Sequence, residues 1–109
     1  SVFLTKAIEL VEKNLHVPGY SVEQLSRDLC MERTGLYRKL VAMLDQSPSL
    51  FIRNIRLQRA AQLILEGSLS ITEIAGRTGF SSSSYLSKCF QEMYGCRPSE
   101  YAEKMQKST

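Results

Sequence analysis

Apolar residues recur at three- and four-residue spacing along most of the chain. Phe3, Leu4, Ala7, Ile8, Val11 and Leu15 form the first stripe, with Glu9, Glu12 and Lys13 opposite, which predicts an amphipathic helix to about Leu15. Pro18-Gly19 break it. Ser21-Val22-Glu23-Gln24 then reads as a capping box, the Ser and Gln side chains satisfying free backbone N–H groups reciprocally, and opens a short second helix ending near Leu29-Cys30. A tight turn leads into a third helix that turns Leu36, Leu40, Val41 and Leu44 inward.

Ser47-Pro48 marks a fourth start, with Ser as cap and Pro at the first position, where its missing N–H costs nothing. From Pro48 to Glu66 this helix would run roughly 28 Å at ~1.5 Å per residue. Its apolar residues (Phe51, Ile55, Leu57, Ala60, Leu63 among them) occupy more than one face, so it must be covered on two sides. Gly67 ends it, and Ser70-Ile71-Thr72-Glu73 is a second capping box for a fifth helix. Gly79 marks a turn. Ser81 is then the expected cap of a sixth helix with Leu86, Cys89, Phe90 and Met93 inward. Gly95 closes that helix, and Pro98 begins a last short one through Tyr101. No segment alternates with period two, so the expectation is an all-α chain of about seven helices.

The chain also repeats itself. Leu25-Ser26-Arg27-Asp28-Leu29-Cys30 matches Ile74-Ala75-Gly76-Arg77-Thr78-Gly79 at a spacing of 74 − 25 = 49. After one inserted residue the match continues at 50, pairing Leu36 with Leu86, Arg38 with Lys88, Leu40 with Phe90, Pro48 with Pro98 and Phe51 with Tyr101. Each unit is a capped short helix, a tight turn and a second helix, the sequence form of a helix-turn-helix. The expected division is a first subdomain over about 3–46, a linker helix over about 48–66 and a second subdomain over about 70–105.

Composition narrows the function. At 109 residues the chain can bury one modest core, or two small ones joined by a shared element, and has little room for a deep cleft. Charge breaks every apolar run well short of the ~18–20 residues a membrane span needs. The start reads as neither a cleavable signal nor a natural first residue, so a piece of a longer cytoplasmic protein is expected. Of the 14 Lys and Arg against 11 Asp and Glu, residues 47–109 carry eight against five and hold all the excess. Three cysteines and one histidine support neither a disulfide framework nor a metal site, and no cofactor is implied. Cys30 and Cys89 read as small buried hydrophobes, Cys96 as exposed, and His16 as an exposed helix-end residue. The serine run has no histidine-assisted arrangement around it, so no enzyme activity is expected.

In a helix-turn-helix the second helix enters the major groove and the exposed N-terminal half meets base edges. With Leu36 and Leu40 buried, Arg33, Thr34, Tyr37, Arg38 and Lys39 are the candidate readers of the third helix. In the sixth helix they are Ser82, Ser83, Ser84, Ser87 and Lys88. Arg can bond guanine bidentately, Ser and Thr can bond phosphates or bases, Tyr offers a ring and a hydroxyl, and Lys neutralises phosphate. The first N–H groups of the second and fifth helices, near Ser21–Glu23 and Ser70–Thr72, add phosphate donors. Double-stranded DNA is the implied partner, and a helical protein-interaction module using a groove beside the fourth helix is the alternative. Arg53, Arg56 and Arg59 on that helix fit DNA contact or, better for Arg56, structural pairing with acidic residues; Lys104 and Lys107 read as a solvated, frayed tail.

The series Arg56-Leu57-x-x-Ala60-Ala61-x-Leu63-Ile64, Ile71-x-x-Ile74-Ala75-x-x-x-Gly79-Phe80, Ser84-Tyr85-Leu86-Ser87-Lys88-x-Phe90 and Gly95-x-x-Pro98-x-x-Tyr101 resembles the C-terminal DNA-binding domain of arabinose-operon-regulator (AraC)-type transcription factors. Leu36-Tyr37-Arg38-Lys39-Leu40, followed by Gln46-Ser47-Pro48-x-x-Phe51-Ile52-Arg53-x-Ile55-Arg56-Leu57, resembles output domains of hybrid two-component regulators in particular. The resemblance implies two helix-turn-helix units bridged by the fourth helix, set into successive major grooves. It implies base contacts at Thr34, Tyr37 and Arg38 and at Ser83, Ser84, Ser87 and Lys88. It also implies RNA polymerase as a further partner, dimerisation in the full-length protein alone, and no membrane contact by this domain. Glu32 stands where the family has a small polar cap, Gly35 interrupts the third helix, and Lys88 replaces the usual Arg, exchanging a bidentate fork for a point charge.

Overall fold

A computed structural model describes residues 1–107. It contains seven helices among the described residues, and no strand: α1 (Val2–Lys13), α2 (Val22–Asp28), α3 (Arg33–Leu44), α4 (Pro48–Glu66), α5 (Ile71–Arg77), α6 (Ser83–Tyr94) and α7 (Pro98–Lys107). The order and the long fourth helix follow the hydrophobic pattern. Two separate cores form. One joins Ala7, Val11, Leu25, Leu36 and Leu40 to Phe51, Ile52 and Ile55 of α4; the other joins Leu57, Ala60, Ala61 and Leu63 of α4 to Ile74, Phe80, Leu86, Cys89 and Phe90. A helix with apolar residues on two faces thus serves both groups at once, and α4 packs on all six other helices. The body is elongated, 41 × 27 × 21 Å.

The internal repeat is visible in the backbone. Cys30 (φ 55°) and Gly79 (φ 77°) take the left-handed conformation at matching places in the two turns, and Asp45 (φ 55°) and Gly95 (φ 74°) do so at the ends of α3 and α6. The matching hydrogen bonds Met31 N to Ser26 O and Phe80 N to Ala75 O, both 2.9 Å, close the two turns in the same way. Where the second unit uses glycine, the first therefore uses Cys and Asp, each at a cost of ~1–2 kcal/mol.

Several expectations need correcting. The cap of α6 is Ser82, not Ser81: the Ser82 hydroxyl accepts from Tyr85 N at 3.0 Å. Ser81 is the residue inserted between the repeats. Ser21 accepts from Gln24 N at 3.5 Å, but the reciprocal half of that box does not form; the Ser70–Glu73 box is complete. Cys30 is exposed in the left-handed turn that follows α2, and Cys96 is buried because it joins the second core where α7 closes on α4. Met93 is 38% and Leu44 37% exposed rather than inward. The first helix ends at Lys13, with Leu15 buried from the loop beyond it. The last helix extends past Tyr101 to Lys107, whose ammonium lies 3.0 Å from Glu103 with both side chains in solvent, so this segment is helical as well as solvated. His16 is exposed, as expected.

Candidate nucleic-acid interface

The helix that follows each turn presents one face to solvent. On α3, burial of Leu36 and Leu40 leaves Arg33, Thr34, Tyr37 and Arg38 outward, with Tyr37 53% exposed. Arg33 reaches Glu23 of α2 at 3.6 Å, an exposed pair of little energetic weight that leaves the guanidinium available. The Lys39 ammonium lies 4.5 Å from the Phe3 ring centroid on α1. It is nonetheless exposed to solvent. At the α3 start Glu32 makes no side-chain cap bond, so this helix begins without the stabilisation that Ser82 gives α6.

On α6, Ser84 and Lys88 are fully outward, while Ser83 and Ser87 are half-buried. Ser87 lines a groove with Arg97, Pro98 and Ser99 at the start of α7. Ser82 is committed to its cap bond. Among the described residues neither Arg38 nor Lys88 has an ion pair or hydrogen bond, so both cations are free for a ligand. The repeat pairs Arg38 with Lys88 and Thr34 with Ser84 on equivalent outward positions.

Two open grooves lie beside the start of α4, the helix along which the sequence reading placed a groove. Ser47 and Ser49 at the start of α4 border both the groove beside Arg33, Thr34 and Tyr37 and a second groove reaching Ser81 and Tyr85. Tyr85 is 46% exposed at the position that the repeat pairs with Gly35, so the two units differ most in bulk there. Arg53 lines the same groove; it lies 3.7 Å from Glu92, and its Nε is buried without a partner. The repeat offset of 50 was a signal for Tyr85; nothing in local sequence marks Ser49.

Among the described residues Arg56 pairs with no acid. It is 6% exposed, and its guanidinium donates to the carbonyls of Leu15, of Thr78 (2.9 Å), of Val17 (3.2 Å) and of Tyr20 (3.4 Å). Burial lowers its pKa from the usual value, yet guanidinium remains charged at any physiological pH. Tyr20 in turn donates to Asp28 Oδ2 at 2.9 Å, and its phenol pKa is raised by burial and by that carboxylate.

The helix-turn-helix domain family matches residues 25–104. A transcriptional regulator structure from Chromobacterium violaceum, described as AraC-type DNA-binding domain-containing, is 30% identical with a TM-score of 0.85, covering 94% of this chain and 90% of that one. The chain belongs to the AraC-type helix-turn-helix family. This AraC-type domain is also similar to the DNA-binding domain of the global transcriptional factor AdpA in complex with a target DNA, at 25% identity and a TM-score of 0.83 over 96% of this chain and 94% of that one. A histidine kinase P4 from Formosa agariphila is 40% identical over 98 residues, which is 90% of this chain. The AraC-type chain spans 7% of that relative's length, and 26% to 34% of curated transcriptional regulators it also matches. Among the described residues no helix is long and apolar enough to cross a membrane.

Proposed function

We propose that this domain binds double-stranded DNA sequence-specifically, with α3 and α6 in successive major grooves on one face of the duplex, and that a longer cytoplasmic protein uses it to regulate transcription. The observation that carries this reading is the repeated unit itself: two helix-turn-helices bridged by α4 present free cations at equivalent places, one for each of two major grooves. In the first unit Arg38 is the base reader, Thr34 and Tyr37 contact neighbouring bases, and Arg33 supports from the helix start. In the second, Ser83, Ser84 and Ser87 contact bases or phosphates, while Lys88 holds phosphate as a point charge. Arg53 meets the backbone that passes between the two grooves. The small share of the histidine kinase that the chain covers supports an output-domain role in a hybrid two-component regulator. Dimerisation and contact with RNA polymerase then belong to the longer protein.

Affinity for a natural or selected site, measured against a scrambled duplex at two salt concentrations, tests this. Phosphate contacts from several cations predict a steep fall with salt, by log-log slope ~0.9 per phosphate neutralised, together with clear preference over the scramble. Salt-insensitive behaviour without preference would favour a protein-interaction module instead.

A further inference from the structure

The two groups of helices touch each other sparingly. Every pair of helices in substantial contact either lies within α1–α3 or α5–α7, or includes α4. The N-terminal half of α4 serves one core through Phe51, Ile52 and Ile55, and the C-terminal half serves the other from Leu57 onward. Arg56 stands at that changeover.

Its four acceptors belong to different groups. Leu15, Val17 and Tyr20 lie in the segment joining α1 to α2, and Tyr20 immediately precedes the Ser21 cap of α2. Thr78 ends α5, directly before the Gly79 turn that leads to α6. The guanidinium therefore ties the entry of the first helix-turn-helix to the turn of the second. Gly79 is part of the same seam: a Cβ there would run into the Arg56 guanidinium and the Leu15 carbonyl oxygen, so the bare glycine lets the two backbones meet. A buried cation without a carboxylate is an expensive way to fill space, and an apolar side chain would fill it better. What an apolar side chain lacks is directional donors, and the planar guanidinium fork fixes the direction of each bond.

We propose that Arg56 is a positioning residue that sets the angle between the two reading helices, and thereby the spacing between the base-pair blocks that the domain accepts. This rests on the two-groove reading, and it goes beyond it by assigning the spacing to a residue that touches no DNA.

The test has two arms, both on the intact domain with Arg56→Lys and Arg56→Met, each first shown to unfold cooperatively. In the first, without DNA, residual dipolar couplings of the α1–α3 and α5–α7 groups are fitted separately. The wild type should give one common alignment tensor; the variants should give tensors of different magnitude, because the groups reorient independently. In the second, affinity is measured for a two-block duplex and for duplexes with one or two base pairs inserted between the blocks. One inserted base pair should cost the wild type about tenfold to a hundredfold, since it removes the contacts of one block. Arg56→Lys should lose less than about fivefold, because a point charge holds direction poorly, and should bind single-block duplexes within about twofold of the wild type. Arg56→Lys carries the test if Arg56→Met does not fold. A folded Lys variant with one common tensor and the wild-type spacing profile overturns the proposal. If the wild type itself ignores spacing, the two-groove reading fails and the spacing role fails with it, while the tensors still report whether Arg56 sets the angle.

Discussion

Substituting alanine at each of three left-handed glycines separates backbone strain from the seam around Arg56. Gly67 (φ 75°), Gly79 (φ 77°) and Gly95 (φ 74°) have nearly the same conformation, but a Cβ at Gly67 or Gly95 meets nothing within 4 Å. Left-handed strain costs an L-residue ~1–2 kcal/mol, and the stiffer unfolded chain returns ~0.4–1 kcal/mol, so Gly67→Ala and Gly95→Ala should each lose about 1 kcal/mol. Gly79→Ala adds a collision with the guanidinium and with the Leu15 carbonyl. The Arg56 side chain must then shift and give up at least one charged hydrogen bond, worth ~1.5–3 kcal/mol, bringing the loss to ~2.5–4 kcal/mol. Against a total of ~5–15 kcal/mol for a domain of this kind, that is a large fraction. Urea unfolding followed by far-ultraviolet circular dichroism measures all three at equal slope. If Gly79→Ala falls within about 1 kcal/mol of the other two, the close approach at the seam contributes nothing and the reasoning is wrong.

Other outcomes follow from the caps and the readers. Ser82→Ala should lose ~1 kcal/mol while Ser81→Ala stays within ~0.5 kcal/mol, measured by the same unfolding; equal losses would return the cap to Ser81. Glu32→Ser should gain ~0.5–1 kcal/mol by giving α3 the cap bond it lacks, and no gain would mean that another group already satisfies that helix start. The Glu73 carboxyl is held below its usual pKa, chiefly by the Ser70 backbone N–H. A depressed carboxyl contributes stability that is full above the unfolded pKa and lost as pH falls through the folded one. The melting temperature of the wild type should therefore drop more than that of Glu73→Gln between about pH 5 and pH 3. Arg38→Ala should relax sequence preference at one base position at a cost of ~1–3 kcal/mol, whereas Lys88→Ala should weaken all duplexes alike and lower the salt slope by about one; matching effects on preference would undo that division of roles.

Most of the helical order was legible because it rests on periodicity and on punctuation by Pro48, Gly67, Gly79 and Gly95, which act locally. The misplaced cap shows where local rules stop. Four serines in a row satisfy the same preference, and only the repeat offset of 50, which pairs Ser82 with Glu32, selects among them. The same pairing of Cys30 with Gly79 marks a left-handed turn residue, but whether a side chain there is buried depends on what the turn packs against, which residue type does not record. Arg56 was legible as structural but not in its partners, since a backbone carbonyl acceptor leaves no trace in residue identity. Cys96 depended on how α7 closes against α4, a contact between distant segments. Of the proposed readers, exposure of Thr34, Arg38, Ser84 and Lys88 follows from the buried stripe of each helix. Lys39 and Ser87 lie beside a neighbouring helix, which rather than the stripe decides what they touch.

Selection of bound duplexes from a random pool tests the two-groove reading most directly. Two blocks of preferred bases whose centres lie about one helical turn apart, both required for tight binding, are the predicted result. Enrichment of a single short block, or of none, would contradict it.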